Sequence, residues 1–143
     1  ENVAQDEHSG SRPCRDAASG EFPIGIAYEL AGASLKTKGA PLDVLLMKEG
    51  GGWDMDTAAI LKGTTKLEAA KRLMDFAASR KANEIYAKFV SQTAMEGVGR
   101  PIPNYPEGVA QSMIKNDLDW AAANRDRIIK EWQRRYEAKS AKK

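Results

Sequence analysis

The residue types best suited to chemistry near the start of the chain form one run, His8-Ser9-Gly10-Ser11-Arg12-Pro13-Cys14. Pro13 suits the opening of a helix, where its missing N–H costs nothing and its fixed φ is already helical. With Ser11 or Arg12 at the cap, the first backbone N–H groups lack intrahelical partners and point outward, with the positive end of the helix dipole behind them. Two hydroxyls and a Gly at such a start suit an anion. The same residues equally make an ordinary capped helix with no ligand. His8 and Cys14 are nominally a base and a nucleophile, but a lone free Cys usually packs, so Cys14 is expected on the buried side of the helix.

Other groups join this run as candidates. Tyr28 and Glu29 follow a short apolar stretch, Phe22-Pro23-Ile24-Gly25-Ile26-Ala27, that has the pattern of a buried strand with Gly at a close approach. Ligands of open α/β sheets gather at the carboxyl ends of strands, which puts this pair at a cleft; a strand-edge Tyr and a solvated Glu is the plain alternative. Trp53 and Asp54 follow three consecutive Gly residues, Gly50 to Gly52. A Trp there is either a plug between packed elements or an aromatic wall of a site. His8 is the only His and Cys14 the only Cys, so a His-rich metal centre and an internal disulfide are excluded.

The totals bound the rest. At 143 residues the chain holds one domain with a core, or parts of two lobes. Apolar residues make up 42% and charged ones 29%, and the net charge is +2, which gives no argument for nucleic acid. Residues 125–143 hold eight Lys or Arg against three Asp or Glu, a bias that suits a solvated helix face and a Lys-rich end. No apolar run approaches the roughly 18 residues of a membrane span, and no signal-peptide pattern opens the chain.

The elements expected to position these groups are as follows. A helix over residues 12–19 ends at Gly20, and a second over 30–38 stops at Gly39 with Pro41 beyond. Strands are expected at 22–28, 42–47 and 57–61, so the fold class is α/β. Thr65 and Glu68 fit a capping box for an amphipathic helix over 66–80, with Leu67, Ala70, Leu73, Met74, Ala77 and Ala78 as its buried stripe. A further helix covers about 82–91, with Ile85, Phe89 and Val90 on one side. Gly and Pro then mark an irregular connection over 92–106. Beyond it lie a short helix near 109–114 and a long one to about 138, capped by Asn116 or Asp117. Its stripe of Trp120, Ile128, Trp132 and Tyr136 needs a larger body to lie on.

Several of these pieces occur in a familiar order. The Ser-Gly-Ser loop is followed by Gly-Glu-Phe-Pro-Ile-Gly-Ile-Ala-Tyr-Glu from residue 20, Lys-Gly-Ala-Pro-Leu-Asp-Val from 38 and Lys-Glu-Gly-Gly-Gly-Trp-Asp from 48. Ala-Ile-Leu-Lys-Gly-Thr from 59, Ala-Ser-Arg-Lys-Ala from 78 and Leu-Asp-Trp-Ala-Ala-Ala-Asn-Arg-Asp-Arg-Ile-Ile-Lys-Glu-Trp from 118 complete the series. Over residues 3–136 the chain resembles the carboxy-terminal part of a periplasmic solute-binding protein of an ABC importer, with the type II fold. It is most similar to the 2-aminoethylphosphonate-binding branch, which is related to the ferric-iron binding proteins.

The resemblance implies a two-lobed α/β shell of about twice this length. Residues 1–47 would belong to the second lobe, 48–61 to a hinge-crossing loop and strand, 62–106 to helices of the first lobe, and 107–143 to carboxy-terminal helices. An absent amino-terminal half, or an exchanged partner chain, would then cover apolar surface left open here. It implies a non-catalytic protein without cofactor or metal, periplasmic, that captures a small phosphonate and delivers it to the membrane permease of its importer. His8, Ser9, Gly10, Ser11 and Arg12 would meet the acidic group, Glu29 with Tyr28 the ligand ammonium, and Trp53 and Asp54 the hinge or cleft wall.

One departure weakens the match, since Gln5-Asp6-Glu7-His8 sets two carboxylates beside an anion site. The iron-binding relatives use adjacent tyrosines, whereas Tyr28, Tyr86, Tyr105 and Tyr136 are isolated, which disfavours iron. Other readings are a binding protein for another anion, a polyamine or iron, and a transferase-like enzyme using the same phosphate cradle. The last needs a general base, for which only His8 or a carboxylate such as Glu29 stands available.

Overall fold

A computed structural model describes residues 2–141. They form α1 (Arg12–Ser19), α2 (Glu29–Thr37), α3 (Leu67–Ala78), α4 (Arg80–Tyr86), α5 (Val109–Ser112) and α6 (Leu118–Tyr136), then a 3-10 turn at Glu137–Lys139. The chain divides into two units, Glu1–Trp53 with Asn104–Lys143, and Asp54–Pro103.

In the first unit, α1 and α2 pack against each other. α1 stops where Gly20 turns left-handed at φ 79°, its N–H returning to Ala17 and Asp16 carbonyls. α2 runs to Lys38, after which Gly39 is left-handed at φ 92°. Gly32 of α2 lies against Val44 and Cys14: a β-carbon there would sit 2.9 Å from Val44 Cγ2 and 3.8 Å from Cys14 Sγ. Asp117 accepts from the Trp120 N–H at 2.9 Å, which caps α6. Asp6 and Ser140 form a parallel bridge, with Asp6 N–H on the Lys139 carbonyl and Ala141 N–H on the Asp6 carbonyl. Trp132 Nε1–H donates to Asp6 Oδ2 at 3.2 Å and its ring stands 4.6 Å from that of Tyr136.

In the second unit α3 and α4 meet at Ser79, whose extended backbone breaks the helix expected to run on to residue 80. Its Oγ accepts from the Ala82 N–H at 3.2 Å and so starts α4. The capping box expected at Thr65 and Glu68 does not form. Lys66 is the cap residue, which places Glu68 at the second helical position, one short of where a box needs it. Thr64 Oγ1 instead accepts from the Lys66 N–H, and Glu68 pairs with Lys71 at 3.0 Å.

The expected α/β architecture is not observed. Among the described residues there is no sheet; strand-like pairing consists of the bridges Asp6 to Ser140 and Gly51 to Met113. This is therefore not a type II binding-protein fold. Residues 22–28, 42–47 and 57–61 are extended or irregular and none lies in a ladder. A strand is stable only when its N–H and C=O groups find another strand. Among the described residues, no backbone–backbone hydrogen bond engages 23–27, 43–46 or 56–60. Phe22, Leu42 and Val44 are half-buried, but many of the other apolar side chains face solvent, with Ile24 79%, Leu45 84% and Leu61 81% exposed.

The expected helical stripes are only partly covered: Ala70, Met74, Ala77 and Tyr136 are half-buried. Leu67 and Leu73 of α3 are exposed, as are Trp120, Ile128 and Trp132 of α6. The buried hydrophobic residues are small: Ala33, Ala82, Ala87 and Val109.

Candidate functional site

Ser11 caps α1 without a side-chain bond to the helix backbone. Its Oγ lies 3.5 Å from Ser9 Oγ and accepts from Arg15 Nη1 at 3.1 Å. The Arg12 N–H closes the turn on the Ser9 carbonyl at 3.2 Å. Two hydroxyls and a guanidinium thus converge at the start of α1, a donor set that suits an anion.

The partner side of this cluster comes from the segment leading into α2. Gly25 crosses α1 so closely that a β-carbon would sit 2.1 Å from the Pro13 carbonyl oxygen and 3.3 Å from the Cys14 nitrogen. The chain then delivers Tyr28 onto the loop. A β-carbon on Gly10 would lie 2.3 Å from Tyr28 Cε2, so the ring rests directly on the Gly10 backbone. Cys14 Sγ faces the Tyr28 carbonyl at 3.9 Å. Glu29 opens α2 beside it, in the first turn where a carboxylate is favoured by the helix dipole. Its Oε1 accepts from Tyr105 Oη at 2.6 Å.

The structure therefore brings Ser9, Gly10, Ser11 and Tyr28 together, while the Glu29 carboxylate, next in the chain, is held by Tyr105. Arg12 is engaged elsewhere: its Nε holds Asp16 Oδ1 at 2.7 Å, and Asp16 is only 5% exposed. That bond raises the already high Arg12 pKa, chiefly by hydrogen bonding to Asp16. Arg15 is the cation on the serine loop, one helical turn beyond Ser11. Its signal in the sequence was the four-residue spacing, which puts Ser11 and Arg15 on the same helix face.

His8 turns away to the tail, its Nε2–H donating to the Ala141 carbonyl at 2.9 Å. Gln5 donates to Glu7, so one of the two nearby carboxylates is occupied locally. An open depression of about 540 Å³ lies on the Arg12 side, lined by Gln5, Glu7, Arg12, Lys139 and Ser140 among others. Tyr28 and Glu29 do not line it, and its mixed charges give it no clear ligand preference.

Trp53 is a plug. Its Nε1–H donates to the Ile114 carbonyl at 2.8 Å, and its own carbonyl accepts from Asn116 Nδ2 at 2.9 Å. The parallel bridge of Gly51 to Met113 fixes the same place. Asp54 belongs to the second unit and accepts from the Met55 N–H at 2.8 Å. Among the described residues no group of three or more His, Cys, Asp or Glu side chains is arranged to hold a metal ion, and no helix is long and apolar enough to cross a membrane.

Against known proteins the likeness is narrow. No family model matches the chain. It is 37% identical over 84 residues to an uncharacterized protein of Haemophilus influenzae. The match takes in 59% of this chain and 24% of that relative, so the chain spans about a quarter of the relative's length. No solved structure matches.

Proposed function

We propose that the protein captures a small phosphonate, such as 2-aminoethylphosphonate, as the non-catalytic substrate-binding component of an ABC importer. The observation that supports this most is the docking of Tyr28 on Gly10. It brings the residue before Glu29, a carboxylate that suits an ammonium, onto the loop whose two serine hydroxyls suit, with Arg15, a phosphonate oxygen. A zwitterion with its charges a few bonds apart matches donors on one side and a carboxylate on the other. Hydroxyls and backbone N–H groups bind such an anion without proton transfer. The reading places the protein in the periplasm, passing ligand to a membrane permease. Its exposed apolar segments fit a further partner surface, supplied by an amino-terminal portion or an exchanged chain.

Isothermal titration against 2-aminoethylphosphonate, inorganic phosphate, putrescine and ferric citrate tests this. Saturable binding of the phosphonate is expected, and replacing Ser9 and Ser11 together with Ala should weaken it by about 1–3 kcal/mol. Binding of putrescine or iron with indifference to every phosphonate would overturn the assignment.

A further inference from the structure

Tyr105 lies 76 residues beyond Glu29 in sequence, yet its hydroxyl donates to Glu29 Oε1 at 2.6 Å, the length of a charge-assisted O–H···O⁻ bond. The segment carrying it is held at both ends of α2. Asn104, with a left-handed backbone at φ 57°, donates from Nδ2 to Thr37 Oγ1 at 3.0 Å. Asn is among the few residues that take that conformation readily. Neighbouring residues thus reach opposite ends of one helix, Asn104 the last turn and Tyr105 the first. Thr37 in turn donates to the Ala33 carbonyl at 2.8 Å, so the far anchor is itself fixed. A strap of this kind fixes where the Glu29 carboxylate points.

We propose that Tyr105 is a positioning residue that sets the site's preference for amine-bearing ligands, by holding the Glu29 carboxylate toward a ligand ammonium. The inference rests on the reading of Ser9, Ser11 and Glu29 as one ligand site. A carboxylate accepts about four hydrogen bonds, and the bond from Tyr105 fixes the direction of one of its oxygens. A short carboxylate at a helix start otherwise samples several rotamers, and ordering it on binding costs affinity. The hydroxyl removes that cost in advance, and only for ligands that carry a cation. An amine-free phosphonate would meet the serines and Arg15 and be indifferent to Tyr105.

The test compares 2-aminoethylphosphonate with ethylphosphonate, which lacks the amine, by titration calorimetry on five proteins: the unaltered chain, Tyr105→Phe, Glu29→Gln, the double variant with Tyr105→Phe and Glu29→Gln, and Asn104→Ala. The unaltered protein should prefer the amine. Tyr105→Phe should lose about tenfold in affinity for it while holding ethylphosphonate within about twofold. Glu29→Gln should lose the preference outright, and the double variant should lose no more than Glu29→Gln alone. Asn104→Ala loosens the strap at its other end and should weaken both ligands alike, which separates mere support of α2 from orientation of the carboxylate. A preference intact in Tyr105→Phe overturns the inference. Equal binding of the two phosphonates by the unaltered protein also overturns it, while leaving phosphonate capture standing. Binding of neither removes both. Should Tyr105→Phe fail to fold, 3-fluorotyrosine placed at 105 keeps the ring and strengthens the donor; an amine preference unmoved by it overturns the inference.

Discussion

Single residues in this protein are constrained more by what passes close to them than by what they bind. Gly25 is the clearest case, because any side chain there would run into the Pro13 carbonyl, a backbone atom that cannot swing aside. Gly25→Ala should therefore lower stability by about 1–3 kcal/mol in urea unfolding, the usual cost of forcing atoms into a filled space. Gly52→Ala has open space and should change little. Equal effects of the two would remove the close approach. Gly10 differs in kind, since its neighbour is the movable Tyr28 ring. Its substitution would displace the ring before it unfolded anything. Burial raises the Cys14 thiol pKa above its ordinary range, which keeps the group protonated at neutral pH. Its alkylation by iodoacetamide should be slower than that of an unstructured cysteine peptide; an equal or faster rate would refute this. The helix start at Ser11 and Arg12 was legible from residue type and spacing. Its division of labour was not, because the sequence does not say that Arg12 would turn to buried Asp16 and leave the serines to Arg15.

At the scale of elements, the helices were legible and the strands were not, for one physical reason. A helix satisfies its backbone within a few residues, so Gly20 and Asp117 announced their ends correctly. A strand depends on a partner remote in sequence, and apolar composition at 22–28 or 42–47 cannot supply one. The caps are correspondingly testable. Ser79→Ala removes the acceptor for the Ala82 N–H and should cost about 1 kcal/mol, with fraying of α4 visible in hydrogen exchange. No change at residues 80–83 would count against the cap. In α6, Arg134 and Arg135 both hold Glu131, drawing its pKa from the ordinary 4.5 down to about 2. Because the folded value lies below the unfolded one, the stabilisation is present above about pH 4.5 and is lost as pH falls through about 2. Carbon-detected NMR should place the Glu131 midpoint well below that of an exposed glutamate. Added salt should move it back toward the ordinary value, because the clamp is exposed. A midpoint near 4.5 at low salt would dissolve the clamp.

At the scale of the molecule, the question is what the extended segments are for. The chain exposes 11827 Å². Two separate compact bodies with the masses of its two units would together expose only about 8,700 Å², so the excess does not depend on how the units are arranged. Among the described residues, exposed Ile24, Ile26, Leu45 and Leu46 lie where backbone groups also lack backbone partners, at 23–27 and 43–46. Side chains such as Ile24 and Leu45 tolerate water individually, but contiguous apolar runs with open backbone attract other chains. The surface itself gives the prediction. Taken alone, the protein should self-associate in sedimentation and bind a hydrophobic dye, and the amides of 24–27 and 43–46 should exchange almost as fast as in an unfolded peptide. Replacing Ile24 and Leu45 together with Lys should reduce association and dye binding while leaving the helical circular dichroism unchanged, because neither side chain contributes to a buried core. A monodisperse monomer with slow exchange at those amides would mean that the segments are already paired within the chain, and would overturn the prediction.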